Sequence, residues 1–202
     1  MRGLLVAVLL LAAPWGVSPG AAAPATCDGA GTLLVALHGY GSSGSELAAA
    51  SGLDRAPARV VLPQGSGDPA RWALPGRLPG GDDLRRIGDL IDRCAGDGDR
   101  VVLAGFSNGA AFAGEVACRL GPTVDAVVLV GGAGLAPDCG RRWDVVVHGD
   151  ADHVVPPAGG PVLGGTLHAR PLTDVDADRV VVVPGLGHTW PAEATAEVLA
   201  LL

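Results

Sequence analysis

The chain has 202 residues, of which 49% are apolar and 17% are charged, so it is long enough for one folded domain and too apolar to be disordered. Its 21 acidic residues outnumber its 14 basic residues, which gives a formal net charge of −7 at neutral pH. Every basic residue is an arginine and no more than two are adjacent, so we expect no nucleic-acid partner.

The first 25 residues have the features of a secretory signal peptide. Arg2 precedes an apolar run at residues 4–13, and small residues near positions 22–25 offer cleavage sites. The apolar run is shorter than the roughly 20 residues that a membrane span needs, so we expect cleavage and no stable membrane anchor. The sequence therefore predicts a secreted protein, extracellular or periplasmic, with a single domain over residues 26–202.

Strand and helix candidates alternate along this domain. The strands are predicted at Thr32–Leu37, Arg59–Leu62, Arg100–Ala104, Asp125–Val130, Asp144–Val147 and Arg179–Val183. The helices are predicted at Gly44–Ala50, Asp82–Cys94, Asn108–Leu120 and Ala192–Leu201. Several strands are continuous apolar runs, which is typical of strands buried on both faces of a parallel sheet. The pattern predicts an α/β fold: a doubly wound, mostly parallel sheet of about six strands flanked by helices, with no lid domain.

A glycine-rich loop, Leu-His-Gly-Tyr-Gly, follows the first predicted strand. Such a loop can direct a backbone N–H toward a site at the end of the sheet, and we expect that of Tyr40 to do so. The alternative is an ordinary strand-to-helix turn. A phosphate-binding loop is disfavoured, because the chain has no lysine and no Gly-x-x-x-x-Gly-Lys pattern.

The strongest local motif is Gly-Phe-Ser-Asn-Gly at positions 105–109. It lies between a predicted strand and a predicted helix, where Gly-x-Ser-x-Gly forms a sharp turn that exposes a nucleophilic serine. Ser107 is therefore the candidate nucleophile. The backbone N–H of Asn108 is the candidate second donor, with that of Tyr40, to an oxyanion. The alternative is that Ser107 only caps the following helix.

A nucleophilic serine needs a histidine as base and a carboxylate that orients it, and in this type of fold both follow it in the chain. Asp152 comes after the strand predicted at Asp144–Val147, and His188 comes after the one predicted at Arg179–Val183. We assign these as acid and base. Asp150, two residues before Asp152, is the alternative acid, although hydrogen bonding within a turn would also account for it. Of the remaining histidines, His38, His148 and His153 are interpreted as structural, and nothing in the sequence favours a role for His168.

Two tryptophans are candidates for a substrate-binding surface. Trp190 lies two residues after the proposed base, and Trp72 is the second candidate. Their flat rings would suit a sugar or a hydroxycinnamoyl group. The alternative is burial in the core, which is at least as good an interpretation for Trp72.

Four cysteines, Cys27, Cys94, Cys118 and Cys139, would remain after cleavage. In an oxidising compartment they indicate two disulfides, and the sequence alone leaves three connectivities open. None of the four is close enough to another for the Cys-x-x-Cys spacing of a metal site. We therefore expect no metal.

Together these motifs resemble the secreted α/β-hydrolases of the polyhydroxybutyrate depolymerase and feruloyl or acetyl-xylan esterase group. The shared segments are Leu-His-Gly-x-Gly (37–41), Gly-x-Ser-Asn-Gly (105–109), His-Gly-x-x-Asp-x-x-Val-Pro (148–156) and Gly-His-x-Trp-Pro (187–191). The resemblance implies an α/β-hydrolase fold and a serine esterase whose triad is Ser107, Asp152 and His188. It implies the Tyr40 and Asn108 amides as oxyanion donors. It also implies a Cys118–Cys139 disulfide, which leaves Cys27 to pair with Cys94.

The chain is shorter than is usual for that group, with clipped loops at 131–143 and 156–179. We therefore expect it to hydrolyse small or oligomeric esters with short-acyl, hydroxycinnamoyl or hydroxyalkanoate groups. We also expect a monomer that needs no cofactor. Two alternatives remain. A serine peptidase of the prolyl-oligopeptidase type usually carries an additional domain, and a non-catalytic binding protein on this scaffold would be expected to lack a triad residue.

Overall fold

A computed structural model of the protein describes residues 27–28 and 31–202, so the predicted signal peptide lies outside the described residues. Its strands are β1 (Leu33–Leu37), β2 (Arg59–Val61), β3 (Val101–Phe106), β4 (Ala126–Val130), β5 (Trp143–Gly149), β6 (Gly160–Val162), β7 (Leu167–Ala169) and β8 (Ala177–Val183). Its α-helices are α1 (Gly44–Ser51), α2 (Asp83–Cys94), α3 (Asn108–Leu120) and α4 (Ala192–Leu199).

Six of the strands form one sheet in the order β2-β1-β3-β4-β5-β8, in which every neighbouring pair is parallel. These are the six predicted strands, with their ends moved by one or two residues. The predicted fold class, a mostly parallel sheet flanked by helices, is confirmed.

Helices cover both faces of this sheet because successive side chains of each strand point to opposite sides. In β1, Leu33, Val35 and Leu37 belong to the apolar cluster that contains the buried residues of α2 and α3. Leu34 and Ala36 belong to the other cluster, with the buried residues of α1 and α4. The continuous apolar runs in the sequence therefore reflect burial on both faces.

The last strand departs from this pattern. β8 pairs only with β5, so it is an edge strand, and Val180 and Val182 are 45% and 48% exposed. The run of four valines predicted burial on both faces, and this was wrong. A hairpin of β6 and β7, which pair antiparallel, also lies between β5 and β8 and was not predicted. Its strands are three residues each, and one contains a proline, which gives them a weak sequence signal.

The parallel topology brings together the strand ends that are followed by the candidate site residues. The carboxyl ends of β1, β3, β4, β5 and β8 meet at one edge of the sheet, and their following loops begin at His38, Ser107, Gly131, Asp150 and Pro184. Sites of doubly wound folds are built from loops at this edge.

Two disulfides lie at the opposite end. Cys27 is bonded to Cys94, the last residue of α2, and Cys118, in the last turn of α3, is bonded to Cys139 ahead of β5. This is the pairing that the resemblance implied. Among the described residues, no helix is long and apolar enough to cross a membrane.

Removal of the Cys118–Cys139 bond should lower stability and leave turnover unchanged. The bond closes a loop with a sequence separation of 21, so the double change Cys118→Ser and Cys139→Ser should lower the free energy of unfolding by about 3 kcal/mol. Urea unfolding and ester hydrolysis measure the two effects. A loss of kcat in protein that is still folded would contradict the separation of this bond from the site.

Candidate active site

Ser107 occupies the turn between β3 and α3, with φ of 55° and ψ of −117°. This conformation is strained for a residue that carries a side chain. The residues two positions before and after Ser107 must be glycines. A Cβ at Gly105 would collide with the Gly109 carbonyl, and a Cβ at Gly109 would collide with the carbonyls of Leu37 and His38. The serine hydroxyl is thus presented by a turn too tight for side chains, with the positive end of α3 behind it.

A continuous chain of hydrogen bonds joins three of the predicted site residues. Ser107 Oγ lies 2.9 Å from His188 Nε2, and His188 Nδ1 lies 2.7 Å from Asp152 Oδ2. Because Nδ1–H donates to the carboxylate, Nε2 is left to accept the hydroxyl proton. The imidazole also packs on the ring of Phe106, with 4.8 Å between centroids. This arrangement can take a proton from Ser107 and stabilise the resulting positive charge beside a carboxylate.

The Asp152 carboxylate is only 2% exposed and its orientation is fixed. Oδ1 accepts the backbone N–H groups of Val154 and Val155, both at 2.9 Å. The buried ring of His148 donates its Nε2–H to the Val155 carbonyl at 2.9 Å and lies 3.4 Å from Asp152 Oδ2. These bonds hold the turn after β5 so that the other carboxylate oxygen points at His188.

Asp150, the alternative acid, lies elsewhere in the same loop. Its Oδ1 accepts the N–H of Gly185 at 2.6 Å, and the side chain has no hydrogen bond to His188. The structure therefore brings Asp152 to the histidine and gives Asp150 the turn-stabilising role. Of the other four histidines, His38 and His148 are buried, and His153 and His168 are exposed.

Two backbone N–H groups close to the candidate nucleophile have no hydrogen-bond acceptor among the described residues. Those of Tyr40 and Asn108 make no hydrogen bond within residues 27–28 and 31–202. Asn108 follows Ser107 directly, and the loop of Tyr40 lies next to Ser107, since a Cβ added to Gly39 would be 3.5 Å from Ser107 Cβ. Both groups are thus available to donate to an oxyanion.

Trp72 does not present a surface to substrate. Its side chain is fully buried, and its ring stacks on Phe112 of α3 with centroids 5.0 Å apart. Its Nε1–H donates to the His38 carbonyl at 2.9 Å. Both faces of the ring are covered, so the expectation that Trp72 binds substrate was wrong and burial in the core is the correct interpretation.

Trp190 is covered as well, at 8% exposure. Its Nε1–H donates to Thr195 Oγ1 of α4 at 2.9 Å, and its ring meets Phe106 edge-on with centroids 6.5 Å apart. Phe106 in turn packs against the imidazole of His188. The Trp190 ring therefore contacts the base only through Phe106 and offers no flat face to a ligand. The expectation that Trp190 binds substrate was also wrong.

Sequence reasoning missed the polar side chains that hold the long loop after β2. Asp83, fully buried at the start of α2, accepts the N–H groups of Ser66 and Ala73 at 3.2 and 3.1 Å. Gln64 donates to the Ser42 carbonyl at 3.1 Å. An aspartate in the first turn of a helix looks like an exposed residue in sequence, so no pattern signals this role.

His38 also holds the loop after β2, and its protonation state is determined by its hydrogen-bond partners. Nδ1–H donates to the Gly39 carbonyl at 2.7 Å, and Nε2 accepts the N–H of Gly65 at 3.0 Å, so the ring is neutral. Burial lowers the pKa of His38, against the smaller opposing effects of the Gly39 carbonyl and the carboxylates of Glu46 and Asp83. The sequence interpretation as structural agrees with this position.

Comparison with known proteins gives structural likeness only. No protein-family model and no curated protein matches the chain. Esterase PE8 is 27% identical, with 88% of this chain and 94% of that chain covered and a TM-score of 0.61. A phospholipase/carboxylesterase from Dyadobacter fermentans is 20% identical, with coverages of 85% and 89% and a TM-score of 0.56. Acyl-protein thioesterase 2 from Zea mays is 18% identical, with coverages of 86% and 93% and a TM-score of 0.58. The chain has the α/β-hydrolase fold.

Replacing the two loop aspartates separately should distinguish the acid. Asp152→Asn should lower kcat by about 10⁴-fold, because the amide favours the wrong tautomer of His188. Asp150→Asn is the matched control and should retain most of the turnover, since it alters only the bond to Gly185. Steady-state hydrolysis of p-nitrophenyl acetate measures both. The reverse ranking would contradict the assignment of Asp152.

The neutral ring of His38 should make the protein less stable in acid. Because the pKa of His38 is lowered in the folded state, the unfolded chain binds a proton that the native protein does not. This contribution to stability is present above about pH 6.5 and is lost as the pH falls from there through the lower folded pKa. Urea unfolding at pH 7.5 and 5.5 should show a larger loss for the native sequence than for His38→Asn. The asparagine does not titrate and can still donate to the Gly39 carbonyl. Equal losses would contradict the prediction.

Proposed function

We propose that this protein is a serine esterase that acts through an acyl-enzyme on Ser107. The observation that carries the proposal is the hydrogen-bonded chain from Ser107 through His188 to the buried Asp152. A capping serine would not need a histidine at its hydroxyl or a carboxylate behind that histidine. A binding protein would not need the strained backbone at Ser107, which a catalytic turn uses to expose its nucleophile.

The reaction follows from this geometry. Ser107 Oγ attacks the ester carbonyl while His188 Nε2 takes its proton, and Asp152 stabilises the imidazolium. The negative charge that develops on the carbonyl oxygen is stabilised by the N–H groups of Tyr40 and Asn108. His188 then returns the proton to the departing alkoxide, which leaves the acyl group on Ser107. A water molecule, deprotonated by the same histidine, hydrolyses the acyl-enzyme and regenerates the serine.

The comparisons support ester hydrolysis in general. The similar structures include an esterase, a phospholipase/carboxylesterase and a thioesterase. They do not favour the polyhydroxybutyrate depolymerase and feruloyl esterase group over other ester hydrolases, and that narrower assignment depends on the shared motifs alone. A thioester therefore belongs in the substrate tests.

We place short acyl groups, from acetyl to butyryl, first among the substrates. Of the large apolar side chains that are exposed in the described part of the chain, only Tyr40 and Val154 belong to the loops of the candidate site. These two side chains give a long acyl chain little apolar surface to bind. The β6–β7 hairpin is no lid, because Val162, Leu167 and Ala169 are buried in the core. With both tryptophans buried, hydroxycinnamoyl esters lose the stacking surface first expected for them.

We also propose that the protein is secreted and acts as a monomer on small or oligomeric esters. The two disulfides support an oxidising compartment, where such bonds form and persist. The apolar run near the amino terminus supports export.

A panel of esters tests the proposed function. The substrates are p-nitrophenyl esters of two to sixteen carbons, a short-chain thioester, methyl ferulate, acetylated xylan, hydroxybutyrate oligomers and a peptide p-nitroanilide. Ser107→Ala is the blank, and Ser45→Ala, on the exposed surface of α1, is the matched control. We expect kcat/KM to be highest on two to four carbons and to fall by several orders of magnitude in Ser107→Ala alone.

Each other outcome has a defined meaning. The highest kcat/KM on the longest chains would contradict the short-acyl assignment, and hydrolysis of the anilide alone would indicate a peptidase. Rates at the level of the blank on every substrate, from protein that is folded, would contradict an enzymatic function and favour a binding protein. A second set of reactions with EDTA should give unchanged rates.

A further inference from the structure

One segment of the long loop after β2, Ala70–Trp72, is bonded to both loops that carry the proposed oxyanion donors. On one side, the Ala70 carbonyl accepts the N–H of Gly41 at 2.6 Å, and Trp72 Nε1–H donates to the His38 carbonyl at 2.9 Å. On the other side, the Asn108 side chain forms a pair of bonds with the Trp72 backbone. Its Oδ1 accepts the Trp72 N–H at 2.8 Å, and its Nδ2–H donates to the Trp72 carbonyl at 3.2 Å.

The bonds to the first loop fix the peptides on either side of the Tyr40 N–H. The His38 carbonyl belongs to the peptide before it and the Gly41 N–H to the peptide after it. The Gly39 carbonyl, in the same peptide as the Tyr40 N–H, is held on the opposite side by His38 Nδ1. Because C=O and N–H of a trans peptide point in opposite directions, the Tyr40 N–H has one orientation available to it.

The pair of bonds to Asn108 connects the second donor to the same segment. Asn108 has a backbone N–H that is available to an oxyanion and a side chain that is bonded to Trp72, and it is 3% exposed. Its carboxamide satisfies an N–H and a carbonyl that would otherwise be buried without partners. One three-residue segment is therefore hydrogen-bonded to both loops that carry the donors.

We propose that Trp72 and the side chain of Asn108 are positioning residues for the oxyanion hole: through the Ala70–Trp72 segment they hold the N–H groups of Tyr40 and Asn108 at a fixed separation. This inference rests on the proposed function. An oxyanion hole is effective only when its donors already point at the place where charge develops. Loss of the segment should therefore weaken stabilisation of the transition state and leave the affinity for the ester substrate largely unchanged.

Trp72→Phe and Asn108→Ala test the inference. Phenylalanine retains an aromatic ring against Phe112 but removes the donor to the His38 carbonyl, and Asn108→Ala keeps the backbone N–H of the oxyanion donor. We expect each change to lower kcat on p-nitrophenyl acetate by roughly 10- to 100-fold with little change in KM. Trp143→Phe is the matched control, since Trp143 is a buried tryptophan at the start of β5, away from the site. It should leave kcat unchanged.

A second substrate separates positioning from loss of stability. In the thiono analogue of p-nitrophenyl acetate, sulfur replaces the carbonyl oxygen and is a weak hydrogen-bond acceptor. Turnover of this analogue depends little on the oxyanion donors, so both variants should lose much less activity on it than on the oxygen ester. A merely structural role would lower the two rates by the same factor, and this result would overturn the inference.

The double variant supplies a further check. Because both side chains act through one segment, Trp72→Phe with Asn108→Ala should lose about as much kcat as the worse single variant. Multiplied losses would show two independent effects and would contradict the common segment. Unchanged kcat in both single variants, with Ser107→Ala inactive, would overturn the inference and leave the proposed esterase intact. No turnover in the native sequence would overturn the proposed function itself.

Discussion

The candidate site depends on the close approach of backbones around Ser107. The strained turn can exist only because Gly105 and Gly109 have no side chains. Gly105 packs on the backbone of Gly109, and Gly109 packs on the carbonyls at the end of β1. A Cβ on Gly132, in the loop after β4, would likewise collide with the Ser107 carbonyl. These contacts bring the ends of three adjacent parallel strands together, so the position of the nucleophile is set by the sheet and not by a mobile loop.

Around this backbone contact, neutral or fully paired polar groups determine where each loop lies. His38 donates to one peptide and accepts from another, Asp152 accepts two backbone N–H groups besides the histidine, and Asp83 accepts two more. Buried polar groups are costly unless they are hydrogen-bonded, so each of these side chains restricts its loop to the conformation that satisfies it. The result is a site whose donors and acceptors are oriented before any substrate arrives.

The parts that could be predicted from the sequence are those with a local signature. The alternation of apolar runs with amphipathic stretches predicted the sheet and its helices. The glycines around Ser107, together with Asp152 and His188 at strand ends, predicted which side chains would meet. Burial is different, because it depends on residues far apart in the chain. Nothing local distinguishes Trp72, which is sealed between His38 and Phe112, from an aromatic residue at the surface.

The same limitation explains the misread β8 strand. Four consecutive valines fit a strand buried on both faces, but a strand at the edge of the sheet has neighbours on one side only. Whether another strand follows in the sheet is a property of the topology and not of the segment. Asp83 is the converse case. Its neighbours Asp82 and Arg85 form an exposed ion pair, while Asp83 itself is enclosed by the loop that it holds.

The two ends of the sheet thus have opposite effects on the stability of the fold. The carboxyl end requires many glycines and a strained serine, and glycine increases the conformational entropy that is lost on folding. The amino end carries both disulfides, Cys27–Cys94 and Cys118–Cys139, which restrict the unfolded chain and offset part of that loss. Because α2 and α3 end at these bonds, the cross-links hold the helices that flank the sheet without touching the site. A small domain can in this way keep a tight, glycine-lined turn at one end of the sheet while cross-links at the other end supply stability.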